Sequence, residues 1–212
     1  MYERERKDLV ETLKSKGIKN ERVLDAFAKV QRHLFVPDIM KQHAYTDVAL
    51  PIGMGQTISQ PYTVAYMTEA LDPRPNQKIL EIGTGSGYQA AILNAMGVRV
   101  FTIERHHDLH KSAVKIFDEM NLKIAARWGD GTLGWQEFAP YDGIIVTAGG
   151  PSVPENLRKQ IAVGGKMVIP VGDKKIQTLQ IISKISDGQF NIKEVPYFAF
   201  VPLIGKEGWK EK

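Results

Sequence analysis

The 212 residues include no cysteine. That absence excludes disulfides, zinc–thiolate sites and cysteine nucleophiles together, and with them thiolate-driven methylation at pyrimidine C5. Long apolar runs are missing too: no stretch approaches the roughly 18 uninterrupted apolar residues of a membrane span. The opening Met1-Tyr2-Glu3-Arg4-Glu5-Arg6-Lys7 has no apolar signal-peptide core, so a cytoplasmic location without membrane association is expected. A dense basic stripe is lacking as well. The formal charge is +4, but Lys and Arg are scattered and often alternate with Glu, as in Lys206-Glu207 and Lys210-Glu211-Lys212, which argues against a nucleic-acid partner. Internal repeats and low-complexity segments are absent.

What is present suits one globular domain. Apolar residues make up 43% and charged residues 25%, enough core-forming surface for a chain of this length to fold as a unit. Within residues 1–212 three parts are expected: N-terminal helices and a substrate loop (1–60), a cofactor-binding core (61–172) and C-terminal strands (173–212).

Leu9, Val10 and Leu13 mark one amphipathic helix. Val23, Leu24, Phe27 and Val30 mark a second behind an Asn20 cap, and Pro37 closes this region. Tyr45 to Gln60 reads as an irregular segment with Pro51, Gly53 and Gly55, and polar structured loops of that length are often functional. A helical stripe comes next at Val64, Met67, Thr68 and Leu71.

From Lys78 strands and helices alternate. Strands are expected at Lys78 to Ile82, Val98 to Ile103, Lys123 to Trp128, Asp142 to Thr147 and Lys166 to Val171, with a helix near Pro154 to Ile161. This succession predicts an α/β fold with a doubly wound, mostly parallel sheet. Leu179 to Ile185, an Asp187-Gly188 turn, and Phe190 to Leu203 interrupted by Pro196 add antiparallel strands at the end.

Glu81-Ile82-Gly83-Thr84-Gly85-Ser86-Gly87 stands where the first core strand hands over to a helix, the crevice in which open α/β sheets place ligands. Its glycines fall at 83, 85 and 87, off the G-x-G-x-x-G spacing of a dinucleotide site. The acidic Glu81 disfavours a pyrophosphate and suits the ammonium of a methionine moiety. Glu104 ends the next strand, where it can accept from both ribose hydroxyls. Gly129-Asp130-Gly131 ends the third, where Asp130 can accept from an adenine amino group. Together these loops point to S-adenosylmethionine. The plainer alternative is that the glycines serve turns and that Glu104 and Asp130 cap helices.

The residues after the fourth core strand narrow the acceptor. Val146-Thr147-Ala148-Gly149-Gly150 lacks the Asn/Asp-Pro-Pro-aromatic element of amino-group methylation. His106, His107 and His110 form a run without the glutamate of a zinc-protease motif, and a solvated helix start explains them with no metal. Trp128 and Trp135 either flank an adenine or pack in the core.

Ala49-Leu50-Pro51-Ile52-Gly53-Met54-Gly55-Gln56-Thr57-Ile58-Ser59-Gln60-Pro61, Glu81 to Gln89, Gly129-Asp130-Gly131, Ala139-Pro140-Tyr141-Asp142 and Phe200-Val201-Pro202-Leu203 closely resemble the protein-L-isoaspartate O-methyltransferase family. The resemblance runs from about Phe35 to Trp209. It implies a class I, Rossmann-like methyltransferase that moves a methyl group from S-adenosylmethionine to the α-carboxylate of L-isoaspartyl residues in damaged proteins. The ester then collapses to a succinimide and allows repair. It further implies Ser59 as the active-site residue and Thr57, Ser59, Val201 and Leu203 as substrate contacts. The cofactor would meet Gln56, Thr57, Ile58, Ser59, Glu81, Gly83, Thr84, Gly85, Ser86, Gly87, Glu104, Arg105, Gly129, Asp130 and Gly131. Ser59 has a plainer alternative as a helix N-cap ahead of Pro61, and Val201-Pro202-Leu203 as a buried edge strand. Two positions depart from the family pattern: Phe198-Ala199 replaces a polar or basic residue found in many members, and Val64 replaces a histidine found in some.

Overall fold

The computed structural model describes residues 2–211. Helices α1 (Glu3–Ser15) and α2 (Glu21–Lys29) form the first layer, burying Leu9 and Leu13 from one and Val23, Leu24 and Phe27 from the other. The Asn20 side chain accepts from the Arg22 N–H and opens α2. Two short 3₁₀ turns, Arg32–Phe35 and Asp38–His43, carry the chain on past Pro37.

The segment expected to be irregular contains a small hairpin, β1 (Leu50–Gly53) and β2 (Gln56–Ile58). Gly53, Met54 and Gly55 all adopt positive φ at its tip, which lets the strands reverse within two residues. Helix α3 (Pro61–Leu71) comes next and buries the expected stripe.

The core sheet holds β3 (Lys78–Ile82), β4 (Arg99–Glu104), β5 (Ile124–Trp128), β6 (Tyr141–Val146), β7 (Ile161–Gly172), β8 (Gln177–Ser186) and β9 (Gln189–Phe198) in the order β5-β4-β3-β6-β7-β8-β9. The first five pair parallel with one another; β7–β8 and β8–β9 pair antiparallel. Helices α4 (Tyr88–Ala95), α5 (His107–Glu119) and α6 (Glu155–Lys159) make the crossovers. Both faces are covered, so β3 buries four of its five residues without alternation.

Three expectations need correction. Strand β7 starts at Ile161 instead of Lys166, because Gly164 (φ +81°) absorbs a bulge in the pairing with β6 and the strand runs on through it. That shortens the preceding helix to Glu155–Lys159. The last strand ends at Phe198, where Tyr197 at φ +71° turns the chain. Val201-Pro202-Leu203 is therefore no edge strand. It bridges Gly149 in the middle of the sheet's carboxyl end, with Gly149 N–H donating to the Val201 carbonyl and Leu203 N–H to the Gly149 carbonyl.

Candidate functional site

The chain proceeds outward from β3 to β4 and β5, then returns to the other side of β3 with β6. Loops leaving β3 and β6 diverge there and open a crevice at the strands' carboxyl ends. A cavity fills this crevice. Its floor is Glu81, Gly83, Thr84, Gly85 and Ser86; its sides are Glu104, Arg105 and Gly131 on one flank and Thr147, Val201 and Leu203 on the other. Gln56, Thr57, Ile58 and Ser59 of the β1–β2 hairpin roof it.

The glycine loop is shaped by close packing. A Cβ on Gly83 would lie 2.5 Å from Thr147 Oγ1, and one on Gly131 2.5 Å from Ile82 Cγ2. Thr147 pins the loop by donating to the Gly83 carbonyl at 2.7 Å. Gly87 (φ +89°) stands off the cavity; it starts α4, and its missing side chain makes room for Phe117, 2.6 Å from where a Cβ would sit.

Two carboxylates give the cavity its polarity. Glu104 is 4% exposed; its Oε2 accepts from Gly85 N–H and its Oε1 from His106 N–H, both at 2.8 Å. A carboxylate offers about four lone-pair directions, so each oxygen keeps one for a ligand hydroxyl. Glu81 is fully buried. Its Oε2 accepts from Thr102 Oγ1, which in turn pairs with Thr84 Oγ1. Its Oε1 has no partner among the described residues. Burial pushes the Glu81 carboxyl up to about 8, partly offset by the Thr102 hydroxyl and reinforced by the Glu104 charge. An unpartnered, buried carboxylate oxygen is a ready acceptor for a ligand ammonium, and the Glu104 lone pairs suit a ribose. The donor set therefore fits an adenosine cofactor with an amino-acid tail.

Twelve of the fifteen expected cofactor residues line this one cavity. Gly87, Gly129 and Asp130 do not. Gly129 and Asp130 border an adjoining hollow that shares Arg105 and Ile204 with the cavity; Asp130 Oδ1 accepts from the Thr132 backbone and hydroxyl, and Oδ2 from Lys206 N–H of the C-terminal segment. Asp130 thus caps the short turn at Gly131–Leu133 while its Oδ2 keeps an acceptor direction free, and Glu104 bridges the glycine loop and the start of α5. Trp135 packs on Phe101 and Phe138 in the core, and Trp128 lies out beside His107. Neither lines the cavity. Among the described residues no three His, Cys, Asp or Glu side chains are grouped to hold a metal.

Ser59 is not a helix cap. Gln60 occupies that position in α3 and no side chain caps it. Instead Asp47 Oδ1 accepts from the Tyr62 N–H of the first turn at 2.8 Å. A second groove runs outward from Ser59 between α3 and the chain after β9, lined by Tyr62, Tyr66, Tyr197, Phe198 and Phe200 among others, with no formally charged residue. The two hollows share Thr57, Ser59, Thr147 and Val201.

Several lining residues went unanticipated. Tyr88 and Gln89 lie directly after the glycine loop, and Thr147 and Ala148 at the end of β6; position at the carboxyl end of a core strand was the available signal. Thr102, the partner of Glu81, carried no signal beyond its place on β4.

The sheet order and the cavity at its switch point define a class I methyltransferase fold. The family model described as protein-L-isoaspartate(D-aspartate) O-methyltransferase matches residues 4–208. A protein-L-isoaspartate O-methyltransferase from Chlorobaculum tepidum is 54% identical over 209 residues, covering 98% of each chain. The chain belongs to this family. A solved protein-L-isoaspartate O-methyltransferase superposes with a TM-score of 0.88 at 27% identity, covering 96% of this chain and 67% of that one. A Plasmodium falciparum chain described as a beta-aspartate methyltransferase, solved with S-adenosyl-L-homocysteine, shares the fold at a TM-score of 0.81 and 24% identity, covering 93% of this chain and 97% of that one.

Proposed function

We propose that the chain transfers a methyl group from S-adenosylmethionine to the α-carboxylate of L-isoaspartyl residues in proteins and peptides. Attack by the next backbone nitrogen on the ester then expels methanol and forms a succinimide, the first step of repair. The observation that carries this is the meeting of a cavity holding two buried acidic side chains, Glu81 and Glu104, with a groove lined by no formally charged residue, at Thr57, Ser59, Thr147 and Val201.

When bound, the cofactor supplies an electrophilic methyl group on a sulfonium. The chain's own residues do the rest. Glu81 Oε1 receives the ammonium, Glu104 the ribose hydroxyls, and the glycine loop lets the ligand lie against the backbone. An acceptor carboxylate with a pKa near 4 is already ionised at neutral pH, so no general base is needed. The task is alignment, and the transfer annihilates charge, which a poorly hydrated cavity favours. The Ser59 hydroxyl, with Thr57 beside it, donates to the acceptor carboxylate without placing a counter-charge in contact with it. Val201 borders the peptide, whose side chains lie in the aromatic groove. The mechanism calls on no metal.

The test is incubation with labelled S-adenosylmethionine and matched isoaspartyl and aspartyl peptides. Base-labile label on the isoaspartyl peptide alone is expected. Cofactor binding without such transfer would overturn the proposal, and labelled RNA or small molecules would redirect it.

A further inference from the structure

The N-terminal layer places a buried cation directly behind Ser59. Arg32 has 0% exposure, and its Nη2 donates to the Ser59 carbonyl at 2.9 Å. Its guanidinium carbon stands 4.7 Å from the centroid of the Tyr88 ring, and Tyr88 belongs to the cofactor cavity wall. Nε and Nη1 bond to no described residue, and among those residues no carboxylate pairs with it. Asp47, which acts on it electrostatically, is taken up by Lys16, Gln60 and the Tyr62 N–H. Burial lowers the Arg32 pKa from its ordinary value, but a guanidinium starts so high that it stays charged at neutral pH. Burial also pushes the Tyr88 phenol upward, so Tyr88 is neutral and provides no counter-charge.

A buried, unpaired guanidinium is costly unless negative charge approaches it. The methylation proposed above brings such a charge to the Ser59 hydroxyl in every cycle. Resting on that proposal, we infer that Arg32 is a positioning residue for the acceptor carboxylate, fixing Ser59 through its carbonyl and drawing the anion to it with a charge one residue behind. The intervening residue matters. A guanidinium in contact would bind the ground-state carboxylate more strongly than the transition state, in which that charge is disappearing. Set back, it attracts the acceptor and leaves the reacting oxygen to the Ser59 hydroxyl. Surface lysines cannot substitute, because salt screens them while a buried charge is screened much less.

The experiment compares wild type, Arg32→Gln, which keeps a donor for the Ser59 carbonyl, and Arg32→Lys, which keeps the charge. With each protein saturated in S-adenosylhomocysteine, calorimetry measures affinity for an isoaspartyl peptide against its isoasparaginyl twin, whose α-carboxamide has the same shape and no charge. Wild type should prefer the carboxylate. Arg32→Gln should lose roughly tenfold of that preference, and Arg32→Lys should restore most of it, with S-adenosylhomocysteine affinity unchanged. An undiminished preference in Arg32→Gln, or equal loss in both variants, overturns the inference. If neither variant folds, wild type alone decides. A preference that survives an increase from about 0.05 to about 0.5 M salt supports a buried source, and one that collapses assigns it to the surface. Wild type that methylates no isoaspartyl peptide fails the activity proposal instead, whatever the ratios.

Discussion

The floor of the cavity, Glu81 to Ser86, and its roof, Gln56 to Ser59, the proposed donor and acceptor walls, face the same space, yet one is shaped by its own residues and the other by distant ones. Along the floor and just past it, Gly83, Gly85 and Gly87 carry positive φ, and the loop turns because these residues allow it. Ser59 instead takes its place from Arg32, 27 residues earlier. The helix after it is fixed by Asp47, which also holds Gln60 and an ion pair with Lys16. On the proposed function, donor binding rests on a local motif and acceptor choice on an assembled layer.

The largest effect should come from breaking the floor. Gly83→Ala places a Cβ at φ +94° and 2.5 Å from Thr147 Oγ1. Left-handed strain of ~1–3 kcal/mol adds to the overpacking, so the loop must move off its bonds. Cofactor affinity is expected to fall by roughly a hundredfold or more, with a lowered Tm. Unchanged S-adenosylhomocysteine binding in calorimetry would show that the loop's shape is not what the ligand reads.

Next in size is a pH effect from Glu81. With its carboxyl pushed from 4.5 to about 8, the folded chain holds a proton that the unfolded chain has released. Its contribution to stability therefore falls as pH rises from about 4.5 and levels off above about 8. A ligand ammonium favours the ionised form, so binding must expel that proton. Affinity for S-adenosylhomocysteine should rise about tenfold per pH unit between roughly pH 6 and 8, with about one proton released. Calorimetry in buffers of different ionisation enthalpy counts it, and Glu81→Gln should abolish the release. No proton release in wild type would mean that the ammonium lies elsewhere.

Ser59→Ala tests the roof. Loss of a hydrogen bond to a charged acceptor is worth ~1.5–3 kcal/mol, so turnover should drop roughly ten- to a hundredfold while cofactor affinity holds. The predicted Tm is unchanged, since Ser59 caps no helix. A large loss of stability would return the residue to a structural role.

The contrast also explains what the sequence made legible. The parallel order and the glycine loop came from period, turn residues and an acidic residue at a strand end, all local signals. The run past Gly164-Gly165 was missed because a bulge glycine and a loop glycine look alike until pairing with β6 is known. Asp130 was expected beside an adenine from its place at the end of the third core strand; that Lys206 N–H, 76 residues on, also donates to it was not readable from the sequence. Nothing in the sequence singled out Arg32, which follows the second helix between Gln31 and His33. Its burial and its bond to Ser59 belong to tertiary packing, which no window of sequence contains.

The smallest effect should come from Asp47→Asn, which sharpens the comparison because it leaves both walls chemically intact. Burial alone would raise the Asp47 pKa, but hydrogen bonds from Lys16, the Tyr62 N–H and Gln60 hold it below the usual carboxylate range. The folded chain thus favours the charge, and the stability it gives is present at neutral pH and lost as pH falls through the depressed value. Asparagine keeps an acceptor for the Tyr62 N–H and gives up the Lys16 pair. About 1 kcal/mol of stability should go, most of its difference from wild type vanishing in acid. Because Asp47 touches α3 and Gln60 but not the glycine loop, isoaspartyl-peptide KM should rise a few-fold, roughly the same ~1 kcal/mol, while S-adenosylhomocysteine affinity stays fixed. An equal loss of both affinities would mean that the two walls respond as one body and that the N-terminal layer supports donor and acceptor alike.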